Sequence, residues 1–254
     1  MNEIFRFMQA EDSSQLDLYI YQSVQSGYEY DWENGECKQN RASAKYFANE
    51  LAKYNNVSQI NLHINSNGGM ISEGTAIRNL LKQHHAKVLA YIDGWACSIA
   101  SVIATAADEV IMYNNSMMYL HRALSSITGN SEALRKEADA LDKMTDSAIE
   151  CYVEKCGGKS DKKKIKQIVE NETWLTAQEC FEIGLCDKIV DEKAPDTMNM
   201  LESIKHYEMS ANMKEQIDSF IEKYKVSAES GNANPTTDQQ KEKLENVFKE
   251  FLKI

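Results

Sequence analysis

The chain of 254 residues, 43% hydrophobic and 26% charged, is long enough to bury a sizeable core in one large domain, with or without an appendage. Its formal net charge of −11 argues against a dedicated nucleic-acid surface, which relies on clustered Lys and Arg. The longest apolar stretch, 94 to 107, is closely bounded by Asp93, Asp108 and Glu109 and is too short for a bilayer, which needs about 20 residues.

The opening MNEIFRFMQAEDSS lacks a basic region followed by an apolar run, so export is not expected and the chain reads as cytoplasmic with reduced thiols. LDLYIYQ (16 to 22) and QINLHIN (59 to 65) alternate apolar and polar residues, the period of a strand. Between them RASAKYFANELAKY sets Ala44, Phe47, Leu51 and Tyr54 on one helical face. ISEGTAIRNLLKQH predicts a second helix, with Ile77, Leu80 and Leu81 buried. KVLAYI, EVIMY and MMYLH are apolar runs of strand length. Strands alternating with helices of this size imply parallel βαβ units and an α/β fold.

A longer amphipathic pattern fills 130 to 155, with Leu134, Ala138, Leu141, Thr145, Ala148 and Tyr152 spaced by threes and fours. Asn130 or Ser131 can cap its start and Gly157–Gly158 its end. At 1.5 Å per residue such a helix is nearly 40 Å long, so it is expected to project and meet a partner chain. The basic run Lys159 to Lys166 is flanked by acids and reads as a solvated helix start. TAQECFEIG (176 to 184) carries a capping box, Thr176 with Glu179, and a terminal Gly184. Both prolines, Pro195 and Pro235, fall in the last quarter, beside the loop-like run at 227 to 238. The expected organisation is a compact domain, 1 to 192, then a helical extension, 193 to 254, with a flexible linker around 227 to 238. The six cysteines show neither CxxC spacing nor a companion His cluster, so no zinc or other metal site is expected, and no cofactor.

The stretch GWACSIASVIATAADEV (94 to 110) holds the candidate chemistry. KVLAYI should lead through a turn at Asp93–Gly94 into a helix beginning near Ser98, where a hydroxyl gains the helix N-terminus and the N–H of Ile99 is free for an oxyanion. Ser101 and Cys97 compete for the role, Ser101 as a hydroxyl bonded to a preceding carbonyl, Cys97 as small-residue packing. INSNGG (64 to 69) follows a strand, and its Gly68 and Gly69 allow close backbone approach. No Lys-Ser/Thr follows, so a phosphate loop fails and an oxyanion donor or substrate clamp suits the segment better. His121 ends the strand MMYLH, whereas His63 lies mid-strand, His84 and His85 at a helix end and His206 in the tail.

INSNGG, GWACSIAS, MMYLHR and ETWLTAQECFEIGLCDKIV, in that order along residues 18 to 191, resemble the ClpP-type serine peptidases. The resemblance implies a ClpP/crotonase-like fold of repeated ββα units with a projecting handle helix, which would be 130 to 155. It implies Ser98 as nucleophile, His121 as general base and Glu172 as the acid where better-known members have Asp, with Asp187 in reserve. Gly69 and Ile99 match the oxyanion donors, with Gly68 beside them. It further implies a polypeptide substrate and a homo-oligomeric ring, a heptamer or tetradecamer. Asn67 stands where the family usually has Pro, and the N-terminus does not match the family's axial gate, which argues against docking to an AAA+ unfoldase. E-T-W-L-T-A, the short N-terminus and the added tail are more similar to the phage and prophage branch linked to capsid maturation. The alternatives are a crotonase-type acyl-CoA enzyme, a Ser–Lys dyad of the signal-peptide-peptidase type, and a catalytically idle ring or capsid scaffold.

Overall fold

The computed structural model describes residues 5–9, 14–31 and 35–190. The extension predicted for 193 to 254, its linker and its helices lie outside the described residues. In chain order come β1 (Phe5–Met8), β2 (Gln15–Ile20), β3 (Tyr28–Asp31), β4 (Glu36–Gln39) and α1 (Ala44–Leu51), the last closed by a 3-10 turn, Ala52–Tyr54. Next are β5 (Gln59–Ser66), α2 (Ile71–Gln83), β6 (Lys87–Cys97), α3 (Ile99–Ala104), β7 (Glu109–Tyr113), β8 (Met117–Leu120) and α4 (Ser131–Cys156). The described part ends with α5 (Lys162–Glu170), β9 (Thr173–Thr176), α6 (Ala177–Ile183) and β10 (Lys188–Val190).

The main sheet runs β1-β2-β5-β6-β7-β10, with β8 and β9 joining above. Its centre is parallel, as the alternation of strands and helices requires. Alternation along each strand then sorts the two faces. Leu16, Leu18, Ile20, Ile60, Leu62, Ile64, Val88, Ala90, Ile92, Val110 and Met112 all point to one side and are buried. They form one hydrophobic cluster with Phe47 of α1, Ile77 and Leu81 of α2, and Ile149 and Tyr152 of α4. α3 is buried at every position, so it is the central helix of that layer. Leu80 is only half-buried, packed at the margin of the cluster.

The sequence is misleading at Asp93–Gly94, which is not a turn. β6 runs on through both residues to Cys97, and it changes partner on the way. Leu89 to Ile92 pair with β7, whereas Trp95 to Cys97 pair in parallel with β8. The register against β5 slips between Ile64 and Ser66, and the Asn65 side chain accepts the Trp95 N–H at 3.2 Å across the slip. This long, forked strand delivers Ser98 to the corner between β6 and β8. Strands β1, β3, β4 and β9 were not anticipated either. β1 pairs antiparallel with β2 and β9 with β8, and β3 with β4 makes a separate two-stranded ladder.

The caps are as the sequence specifies. Asn130 accepts the Ala133 N–H at 2.9 Å to open α4, and Gly157 closes it in the left-handed conformation. The Thr176–Glu179 capping box opens α6 and Gly184 ends it. Only the second half of α4 is covered: Thr145, Ile149, Tyr152 and Cys156 are buried, while Leu134 is exposed. No helix among the described residues is long and apolar enough to cross a membrane.

Candidate active site

Ser98 stands at the junction of β6 and α3. Its N–H donates to the Tyr119 carbonyl at 2.8 Å, which ties it to β8, and its backbone has a positive φ of 54°. A non-glycine residue there carries strain of order 1–3 kcal/mol, retained only where the surroundings enforce it. As N-cap of α3 it makes no side-chain capping bond, so its hydroxyl is not spent on the helix, and the Ile99 N–H that follows has no acceptor within the helix.

The two rivals have structural duties. The Ser101 hydroxyl donates to the Ser98 carbonyl at 2.6 Å and lies 2.8 Å from the Tyr152 hydroxyl, in the core. Cys97 is buried, and burial pushes its thiol up to about 11, the wrong direction for a thiolate nucleophile.

INSNGG wraps against this turn. Gly68 is at φ 91°, and a Cβ there would lie 2.7 Å from the Ser98 Cβ and from the Cys97 carbonyl oxygen. Gly69, at φ 141°, forms a parallel bridge with Val24, whose N–H donates to the Gly68 carbonyl while its own carbonyl accepts the Met70 N–H. Those two bonds flank Gly69 and turn its own N–H away from Val24. Ser66 pins the loop by donating to the Gln22 carbonyl at 2.7 Å and accepting the Gly68 N–H at 3.1 Å.

His121 directly follows β8. The β6–β8 register pairs Cys97 with Tyr119, so the residues one step on from each, Ser98 and Leu120, are level, and His121 is the next residue. Its Nδ1 contacts the Arg122 carbonyl at 2.5 Å. A carbonyl can only accept, so Nδ1 carries the proton of the neutral ring and Nε2 keeps its lone pair. Its ring stacks on Tyr119 at 5.2 Å, and Tyr119 stacks on Trp174 at 4.7 Å. Sequence reasoning missed this aromatic backing. Tyr119 was within reach, being two residues before His121 and so on the same side of β8. Trp174 depended on the unforeseen β8–β9 pairing, which sets it opposite Tyr119.

Glu172 enters by the same pairing. β8 and β9 are antiparallel with Leu120 opposite Thr173, so the next step outward carries Glu172 to the level of His121. It is exposed and left-handed at φ 51°, and its N–H donates to the Val169 carbonyl at the end of α5. The six candidates therefore gather at one corner of the sheet. The hydrogen-bonded chain between them is not closed: His121 Nδ1 is on the Arg122 carbonyl rather than on Glu172, and the Ser98 hydroxyl is not bonded to the ring.

The reserve acid is elsewhere. Asp187 accepts the Val110 N–H at 2.7 Å and pairs with Lys155 at 2.7 Å, at the opposite end of β7. The described residues do hold a bonded imidazole–carboxylate pair, His63 with Asp93 at 2.8 Å, on the far face of the sheet. There the ring is sandwiched between Tyr19 and Tyr91, and Tyr21 donates to the same carboxylate at 2.6 Å. Burial and then the Asp93 charge push the Tyr21 phenol up, so it keeps the proton that it donates to Asp93. No group of three His, Cys, Asp or Glu that could hold a metal ion occurs among the described residues.

The chain is 31% identical over 132 residues to the ATP-dependent Clp protease proteolytic subunit 1 of Protochlamydia amoebophila (strain UWE25), covering 50% of this chain and 63% of that protein. It thus spans less than two thirds of that relative's length. The fold is similar to that of a ClpP1 point mutant from Listeria monocytogenes, with a TM-score of 0.55 at 19% identity, over 70% of this chain and 92% of that one. A model of the Clp protease family matches residues 38–193, more than half of the sequence. This chain belongs to the Clp protease family.

Proposed function

We propose that the chain is a serine endopeptidase acting through Ser98, His121 and Glu172. The observation that carries this reading is the corner where the forked β6, β8 and β9 end together, with an unspent serine hydroxyl beside a histidine whose Nε2 is free to accept. His121 Nε2 takes the proton as Ser98 Oγ adds to the substrate carbonyl. The oxyanion is held by the N–H groups of Ile99 and Gly69, with Gly68 letting the loop come close. The proton then passes to the leaving amine, and water hydrolyses the acyl-serine by the same route. Exchanging the Arg122 carbonyl for the Glu172 carboxylate leaves the proton on Nδ1, so the acid can dock without a change of tautomer. Loss of one oxyanion donor is expected to cost about 10²–10³ in rate.

The substrate in this proposal is a polypeptide, and the working form is a homo-oligomeric ring of seven or fourteen subunits joined through the exposed half of α4. Phage or prophage capsid maturation is the setting we favour, on the E-T-W-L-T-A segment and the long tail. The second reading, an idle ring scaffold, draws on the open contacts between Ser98, His121 and Glu172.

The test is intact mass after incubation with a fluorophosphonate, on wild type and Ser98→Ala in parallel, with native mass to read the assembly. One adduct per chain, lost in Ser98→Ala, is expected. A well-formed ring that takes no adduct means the scaffold reading is right and the peptidase reading wrong.

A further inference from the structure

Beside the two amide donors the surface opens into a cavity of about 890 Å³. Gly69, Met70 and Ile99 stand at one side, and Leu141, Met144, Ala148 and Cys151 of α4 form the opposite wall. Val102, Ile71, Val24 and Leu124 complete an apolar lining relieved by several hydroxyls. One lining residue is charged, Glu137, one turn before Leu141. Glu137 is half-buried, and among the described residues it makes neither an ion pair nor a hydrogen bond. Its helix neighbours at three and four residues are Ala133, Leu134, Ala140 and Leu141, none of which can neutralise it. Lys136, beside it in the chain, is engaged with Glu132 at 2.7 Å.

A half-buried carboxylate at the end of an apolar trough wants a cation on an apolar stem, which is the construction of Lys and Arg. The wall from Met144 to Glu137 is seven residues of helix, about 10 Å at 1.5 Å per residue. An extended peptide advances about 3.3 Å per residue, so that span is two or three substrate residues. Resting on the peptidase reading above, we propose that Glu137 selects a Lys or Arg of the substrate two or three residues from the scissile bond. The carboxylate and the cation form a partly desolvated, charge-assisted contact, stronger than a fully exposed pair.

The experiment uses the full-length protein and quenched fluorescent peptides with Leu at the residue whose carbonyl is attacked. Arg is moved through three positions on either side of the bond, against norleucine at the same position. One placement is expected to raise kcat/KM about tenfold, the size of one charge-assisted contact. Glu137→Gln should bring the Arg-to-norleucine ratio close to one, and Glu137→Lys should transfer the preference to a peptide with Glu at that position. Fluorophosphonate labelling of Ser98 is run on every variant. Full labelling with a ratio near one in wild type, or with a ratio that Glu137→Gln leaves in place, overturns the subsite while the peptidase reading stands. A change in native mass in Glu137→Gln, with the ratio intact, overturns it in favour of a subunit contact. No labelling in wild type removes the peptidase reading and the subsite with it.

Discussion

Ser101 and Tyr152 are the residues on which the identity of the nucleophile can be separated from the stability of its support. Both side chains are buried and their hydroxyls are 2.8 Å apart, linking α3 to α4. Ser101→Ala removes one partner and leaves a buried phenol without a mate, at a cost of about 1–3 kcal/mol. Adding Tyr152→Phe removes the other partner, so the double variant should regain most of that loss in thermal or denaturant melts. Both variants are expected to keep fluorophosphonate labelling at Ser98. Loss of labelling in Ser101→Ala, with the fold intact by circular dichroism, would mean that the hydroxyls have been assigned the wrong way round. The apolar run with three reactive side chains left this open, because spacing alone does not say which side chain points into a core. Burial does: Ser101 and Cys97 are inside, whereas Ser98 is half-exposed.

The elements that were legible are those whose signals are local. A capping residue, an apolar stripe and a terminal glycine give α4 and α6 nearly to the residue, since helix bonds close within four positions. β1, β3, β4 and β9 are four residues each, too short to establish a period, and their partners lie elsewhere in the chain. Asp93–Gly94 has turn composition, but the pairing on either side, Ile92 with β5 and β7 and Trp95 to Cys97 with β8, carries the strand through it. The helices are also joined by a network that spacing does not reveal. Arg78 of α2, itself buried, donates to Thr105 after α3 and to Glu154 of α4, at 2.8 and 2.7 Å, and Lys82 adds a pair to Glu154 at 3.0 Å. Lys82 and then Arg78 hold the Glu154 carboxyl below its ordinary value. A carboxyl whose value is lowered on folding binds its proton more readily in the unfolded chain. Its contribution is therefore full above the ordinary carboxylate range, about 4.3 for Glu, and fades as pH falls through the lower folded value. Glu154→Gln should be less stable than wild type at pH 7, and the difference should shrink steadily in urea melts taken below about pH 4.5. A difference that stays constant down to about pH 3 would mean that packing, not charge, is what Glu154 supplies.

At the scale of the molecule, the covered and uncovered halves of α4 ask for different explanations. The second half is bolted to the core through Thr145, Ile149 and Tyr152, and Thr145 also accepts the Ala123 N–H at 3.0 Å. The first half carries Leu134, 46% exposed, and the segment leading to it carries Ile127, 44% exposed. Large apolar side chains left exposed are the mark of a surface that meets a partner. If that partner is a second copy across a two-fold axis, each substitution is felt twice, once from each side. A fully buried Leu contributes about 1.5–3 kcal/mol, and Leu134→Asp would lose that gain on both chains and bring two carboxylates together. The subunit itself should be indifferent, because Leu134 touches little of its own core. Leu134→Asp is therefore expected to shift native mass from the proposed ring to smaller species at equal concentration, with no change in far-ultraviolet circular dichroism. An intact ring in Leu134→Asp would put the subunit contact elsewhere and leave the open end of α4 to the substrate. Loss of fold in that variant would show instead that the exposed stripe is covered within the chain.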